Sequence, residues 1–374
     1  MKVSSFLFDG KWNITDKLSK AQLVYCFGAR DLVSNDVLEE LKESFPNASV
    51  ISGSTAGEIY QGEVLDNTIV GTAIEFEKTD VKINMKNIRD YEDSFQLGSA
   101  LGQSFDHENL VHLFVLSDGG KINGSRLVEG LNSQVSEKVI ISGGLAGDGA
   151  QFDKTLVGID DNIGEGNVVA VAHYGDSLKV GHASLGGWDE FGPERYVTKS
   201  EENVLYEFDD EPALAVYKKY LGDREKELPF SALLFPLSMR EDEDSEEQVV
   251  RTVLSIDEEA QSMTFAGNIP EDSIVRFMKA NFEKLIEASS HAAADSISKM
   301  EQNEADLVVY VSCVGRKLIL GQRTSEEVEA AQNIIGSKVP HTGFYSYGEI
   351  SPVNDSVKCS LHNQTMTITT YKEL

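Results

Sequence analysis

Three stretches of the chain repeat one order of features: an apolar run, a glycine turn, an amphipathic segment, a second apolar run, and a glycine followed by an acid. The first joins AQLVYCFGA (Ala21 to Ala29) through SNDVLEELKESF to ASVISGSTAGEI, closing on Glu58. The second joins LVHLFVLSDGG (Leu110 to Gly120) through NGSRLVEGLNSQ to KVIISGGLAGD, closing on Asp148. The third joins ADLVVYVSCVGRK (Ala305 to Lys317) through TSEEVEAAQNIIG to HTGFYSYGEI, closing on Glu349. From turn glycine (Gly28, Gly119, Gly315) to closing acid, each unit runs about 30 residues, the length of a strand–helix–strand crossover. Units one and three also share a Cys-x-Gly followed by arginine, at Cys26 to Arg30 and Cys313 to Arg316. The spacing leaves open whether the paired strands are parallel.

Helical periodicity is clear in the first unit. Val37, Leu38, Leu41 and Phe45 recur on one face behind Ser34 or Asn35 as a cap, and Pro46 ends the run. In the third unit Thr324 is the expected N-cap, with Glu327 at the capping-box position. Two further helices are expected over Glu211 to Gly222 and Asn281 to Met300. Between the units, TIVGTAIEFE, VKINMKNI, KTLVGIDDN, NVVAVAHYG, LKVGHASLGGW, VVRTVLSID, SMTFAG and KCSLHNQTMTITTY read as antiparallel strands. The expected class is therefore α/β in a mixed α+β arrangement, with mixed, partly antiparallel sheets covered by outer helices. A chain of 374 residues exceeds one ordinary core. The polar GDREKEL before Pro229 marks the expected break, giving domains 1–222 and 223–374.

Charge narrows the partners. Thirty-three Lys and Arg stand against 62 Asp and Glu, a net charge of −29, so nucleic acid and anionic membrane surfaces are repelled. The acidic runs REDEDSEE (Arg240 to Glu247) and FDDEP (Phe208 to Pro212) read as solvated loops, and no calcium-binding D-x-[DN]-x-[DN]-G loop is present. Cys26, Cys313 and Cys359 form neither a C-x-x-C nor an even set, which fits a reducing compartment. The first residues, MKVSSFLFDGKWN, lack a signal-peptide core, and no apolar run approaches a membrane span. The expectation is a cytoplasmic protein.

GSTAGEI, GGLAGD, and GFYSYGEISP followed by LHNQTMTI resemble the FIST family, with its N-terminal and C-terminal FIST regions. VLYEFDDEPALAVYKKYLG and FAGNIPEDSIVRF resemble it too, so the likeness runs from about Ala21 to Thr370. The resemblance implies a sensory module that binds a small molecule, an amino acid or its relative, often fused to bacterial signalling domains. It also implies, for some members, haem that senses nitric oxide and controls a histidine kinase. No segment here resembles an output domain, so a sensor of this kind is expected to signal to a separate protein such as a histidine kinase.

Ligands favour the carboxyl ends of crossover strands, where glycine turns let a ligand approach the backbone. If the three units point the same way, Glu58, Asp148 and Glu349 gather at one rim with Ser54, Thr55, Asp118 and the turns. These acids are then expected to receive a ligand ammonium and Arg316 a ligand carboxylate, which suits an amino-acid-like ligand. The alternative is that the acids cap backbone N–H groups or pair internally with Arg30 or Arg316. His362, Asn363, Gln364 and Thr365 form a polar cluster in a strand-like run, so either a ligand or a buried network must satisfy them. Tyr345 and Tyr347 either stack on a ligand or pack, and Trp188 carries the same ambiguity. The favoured reading uses no cofactor. Haem is the alternative, with His362 or His341 as axial ligand. A third reading, a hydrolase or transferase, takes Cys313 as nucleophile with His362 as base. The chain holds no G-x-S-x-G, Walker A, H-E-x-x-H, or G-x-G-x-x-G after a strand, so the expected protein is not an enzyme.

Overall fold

A computed structural model of the chain describes residues 1–245, 247–300, 304–353 and 358–374. The fold is mixed α+β, with helices packed outside mixed and antiparallel sheets. In each repeated unit the two apolar runs form a parallel pair. These are Leu23–Ala29 with Ser49–Thr55, Leu110–Ser117 with Ile140–Leu145, and Leu307–Cys313 with His341–Ser346. A returning strand lies antiparallel to the first member of each pair: Ile69–Glu75, Asn167–Tyr174 and Met366–Glu373. Outside these lie Lys2–Phe8, Asp80–Asn87 and Leu178–Leu185.

Each six-stranded sheet is completed by a hairpin from another unit. The hairpin Glu58–Tyr60/Glu63–Leu65 of the first unit adds to His341–Ser346 of the third. The hairpin Val157–Ile159/Asn162–Gly164 of the second adds to Ser49–Thr55 of the first. The hairpin Gly348–Pro352/Cys359–His362 of the third adds to Ile140–Leu145 of the second. The exchange is cyclic, so no unit completes its own sheet.

Why the apolar runs are continuous rather than alternating follows from burial on both faces. One face of all three sheets meets in a shared core that includes Tyr25, Phe27, Phe114, Leu116, Val309, Val311 and Phe344. Phe27 packs on Phe344 at 4.6 Å between ring centroids and on Phe114 at 6.4 Å, joining three sheets in one aromatic cluster. Each such ring contributes roughly 1.5–3 kcal/mol by leaving water. The other faces are covered by helices: Asn35–Ser44 on the first sheet, Ser94–Gln103 and Gly124–Asn132 on the second, Phe282–Ser298 and Thr324–Ile335 on the third.

Residues Asp189 to Lys279 build a separate body on one antiparallel sheet. Its two end strands, Val249–Arg251 and Val253–Asp257, are consecutive in the chain, so the sheet curls back on itself around Val197, Leu205, Tyr217, Leu237 and Phe277. The break expected at 222/223 therefore does not follow the sheets. GDREKEL is an exposed 3-10 turn within this inserted body, with the Ser231 hydroxyl donating to Arg224 O, and the third sheet combines strands from both sides of the break. The third-unit helix is also entered differently: Arg323 occupies the cap position, and Glu327 is buried as an ion-pair partner. In the acidic loops, Asp209 pairs with Arg195 and accepts from Tyr196 N, while Glu246 lies outside the described residues.

Gly143 shows how tightly the second sheet is drawn together. It sits at φ +143°, and a Cβ there would meet Val115 O at 1.9 Å, against backbone that cannot move aside. Gly10, at φ +74°, has open space around it. Gly143→Ala is expected to cost about 3 kcal/mol or more and Gly10→Ala about 1 kcal/mol in urea unfolding; equal costs would mean that the inter-strand approach is not the constraint.

Candidate functional site

The three glycine turns meet. Ala56 N donates to Tyr345 O and Tyr345 N to Gly57 O, joining the first turn to the third at 2.8 Å each. Gly147 N donates to Ser54 O and Gly149 N to Thr55 O, joining the second to the first. Tyr347 N donates to Leu145 O at 3.1 Å, joining the third to the second. The carboxyl ends of all three parallel pairs thus converge on one knot of backbone hydrogen bonds.

The acids at these turns hold the fold together. Glu58 accepts from the Thr55 hydroxyl at 2.5 Å and from Thr68 N and its hydroxyl at 3.2 and 2.8 Å. Glu349 stands in the same relation to Ser346, 2.7 Å away, and to Thr365 N and its hydroxyl at 3.1 and 2.9 Å. In both units the carboxyl clamps the start of the returning strand. In the second unit Asp118 does this work, accepting from Gly166 N as well as Gly120 N and Lys121 N. Asp148 gathers the loop that follows it, accepting from Phe152 N, Asp153 N, Lys154 N and the Tyr347 hydroxyl, with Arg30 Nη1 at 3.4 Å. Ser54 Oγ likewise accepts from Leu156 N. These acids are engaged in clamping backbone N–H groups, the alternative to receiving a ligand ammonium.

Burial is nearly complete at all four of these acids. It pushes the Glu58 carboxyl up to about 7 and the Glu349 carboxyl up to about 8, against the opposing pull of their hydrogen bonds.

Arg316 is fully buried and fully engaged. It pairs with Glu327 at 2.8 Å and donates to Gly186 O, Leu285 O and Gln364 O, so the carboxylate grip expected of it is taken by Glu327. Tyr345 packs behind the turn and donates to the same Glu327, and Trp188 Nε1 donates to Gln364 O. His341 donates from Nε2 to Gly336 O and receives Tyr310 OH at Nδ1, while His362 Nε2 donates to Ser351 O and burial lowers its ring to about 4. Neither imidazole lines a pocket around the turns, and both are held by internal bonds, so these residues do not fit a haem axial ligand. Cys313 is buried and its thiol is pushed up by that burial, the reverse of an activated nucleophile. Asn363 Nδ2 donates to His362 O and its Oδ1 is an unsatisfied buried acceptor.

Open space rings the knot at the strand–helix turn of each unit. A pocket of about 180 Å³ beside Arg30 is bordered by Thr55, Glu58 and Asp148, and an adjoining one of about 450 Å³ lies beside Lys317. Lys317 Nζ is committed to Ala56 O and Asp66. A third pocket, about 320 Å³, lies between the second turn and the inserted body. Its near wall is the Gly119–Gly124 turn with Phe152 and Tyr347; its far wall includes Asn203, Leu254, Phe265 and Gly267. Phe152 is 53% exposed and stacks on Tyr347 at 4.5 Å and 18°, while the Asp148 cage fixes the tyrosine hydroxyl. Of the residues expected at the site, only Tyr347 lines this pocket, with Asp118 and Asp148 holding its turn and its platform. Phe152, Lys121, Asn123 and the inserted-body residues were not anticipated. Phe152 lies in a polar loop without periodicity, although its place just beyond the Gly-Asp motif is the one available cue.

The profile of the FIST N domain matches residues 22–211, and that of the FIST C domain matches residues 213–352. No curated protein matches the chain.

The Glu349 carboxyl gives a pH signature. A group raised from 4.5 to about 8 on folding stabilises the folded state fully below pH 4.5 and loses that contribution as pH rises through 8. Unfolding free energy is expected to fall by about 1–2 kcal/mol between pH 6.5 and 8.5. Glu349→Gln, which removes the titrating group and keeps a carbonyl acceptor beside Ser346 and Thr365, should flatten most of that slope; an unchanged slope in urea titrations at the two pH values would assign it elsewhere.

Proposed function

Because the chain belongs to the FIST family, whose domains are sensory modules for small ligands, we propose that it binds an amino-acid-like metabolite between the second glycine turn and the inserted body. The reading places it in the cytoplasm as a sensor that reports to a separate signalling protein, such as a histidine kinase. No helix among the described residues is long and apolar enough to cross a membrane.

The observation that carries the reading is the half-exposed aromatic platform of Phe152 on Tyr347, facing Leu254 of a second body across a pocket of ligand size. An apolar ligand side chain fits between those walls. Its polar ends meet the turn backbone, Asn123 and Lys121 on one side and Glu202 and Asn203 on the other. The pockets beside Arg30 and Lys317 offer less, since both cations already pair with acids of the same body. A ligand seated across the junction contacts both bodies at once and therefore biases how they close, which is what a sensor requires. The bodies are joined by two short crossings, at Gly186 to Trp188 and at Ala280 to Asn281.

A thermal-shift screen of amino acids and related metabolites should find a stabiliser, since ligand at 100 times its Kd adds about 2.7 kcal/mol. Phe152→Ala should weaken that ligand at least about ten-fold while changing unliganded stability by less than about 1 kcal/mol, because an exposed ring adds little to the fold. Undiminished affinity in Phe152→Ala would move the site away from this pocket.

A further inference from the structure

Two arginines are buried in the body and its junction, and they differ in one respect. Arg316 has Glu327. Arg251, 5% exposed on the strand Val249–Arg251, has no carboxylate partner among the described residues. Its Nε donates to Asn268 O at 2.8 Å, and its Nη1 donates to Leu361 O at 3.0 Å and Val250 O at 3.2 Å. These are neutral acceptors. No hydrogen bond is made by Nη2 among the described residues. Burial lowers the guanidinium to about 10, still far above neutral pH, so it remains a cation. A buried charge without a counter-charge is costly, and such a group needs an explanation beyond packing.

Its position supplies one. Gly267 lines the pocket of the second turn, and a Cβ on Gly267 would lie 3.1 Å from Arg251 Cζ and Nε. The guanidinium therefore packs directly against Gly267, a residue of the pocket floor. The same floor is pinned to the opposite wall: Asn123 Nδ2 donates to Asn268 Oδ1 and Asn268 N donates to Ser125 Oγ. The cation thus sits at the seam between the bodies, in a low-dielectric setting where its field reaches further than in water. Lys121, the other cation at the pocket, is paired with Glu165 at 2.7 Å and more than half exposed. The remaining charge on the wall is Glu202. His362, which faces Arg251, is held neutral by burial.

We propose that this pocket selects ligands bearing a carboxylate, and that Arg251 sets the selection through the Gly267 floor. The carboxylate lies at the Gly267–Asn123 end, and the ammonium of an amino-acid-like ligand lies toward Glu202. Arg251 is here a positioning and specificity residue. The inference rests on the pocket assignment above and adds to it the anionic group and the residue that reads it.

The experiment compares L-amino acids with their primary amides by calorimetry on the full chain. Wild type should bind the acid at least about ten-fold more tightly than the matching amide, and Arg251→Gln should bring the two within about two-fold. Arg251→Lys, which keeps the charge and loses the fork, should retain most of the preference and serves if the glutamine variant does not fold. Equal binding of acid and amide by wild type, or a full preference in folded Arg251→Gln, overturns the proposal while leaving the pocket in place. Binding that ignores Phe152→Ala, or no binding by acids or amides, removes the pocket reading and this one with it.

Discussion

The structure depends on the cyclic exchange of hairpins and on the backbone knot that makes it possible. The hairpins of the first and third units leave immediately after a glycine turn, and that of the second leaves after the loop around Asp148; each adds to another unit's sheet, so the direction of the chain there decides whether all three sheets close. A turn that must face sideways leaves its N–H groups without strand partners. Those groups are satisfied across the knot, where each turn accepts from or donates to another. The acids complete the same task at the next point of risk. Glu58 and Glu349 fix Thr68 and Thr365, the residues just before the returning strands, and Asp118 fixes Gly166 in the corresponding place. The three units thus solve one backbone problem with two side-chain arrangements.

That solution was partly legible in the sequence. Apolar runs of seven or eight residues ended by glycine, with helical periodicity between them, were enough to locate the crossovers and to expect their carboxyl ends together. The hairpin exchange was not legible, because a three-residue strand such as Glu58–Tyr60 carries no mark of which sheet it joins. The insertion was hidden for a related reason. GDREKEL has the composition of a linker, yet it is an exposed turn within a body whose core draws on Tyr217 before it and Leu237 after it. Glu327 looked like a capping residue from its spacing to Thr324, and only the burial of Arg316 beneath that helix explains its true partner.

The acids converge at the turns and clamp backbone there, one of the two roles that their sequence setting allows. A Gly-acid pair at a strand end is equally compatible with a ligand and with a clamp, and the deciding information is the Thr at Thr68 and Thr365, about ten to sixteen residues downstream. The pocket residues lie where pattern is weakest. Phe152 owes its exposure to the loop wound around Asp148, which turns three successive N–H groups inward and leaves the ring outside against Tyr347. Asp148 therefore contributes to the platform by holding it still.

Near-symmetry also shows how the second turn differs from the third. Ser117 and Cys313 are matched by the register of their parallel pairs, which makes Lys121 and Lys317 counterparts four residues further on. Lys317 reaches across to Ala56 O and Asp66 and ties the third turn to the first. The counterpart of Asp66 is Asn363, since Leu65 pairs with Glu58 as His362 pairs with Glu349. Asn363 carries no charge to hold a lysine, its Oδ1 is unsatisfied, and Lys121 turns instead to Glu165. The strap that crosses the third turn is thus missing at the second. Its place is taken by glycine backbone on one side and the inserted body on the other, which leaves a seam whose walls belong to different bodies and whose buried cation, Arg251, has no acid of its own among the described residues.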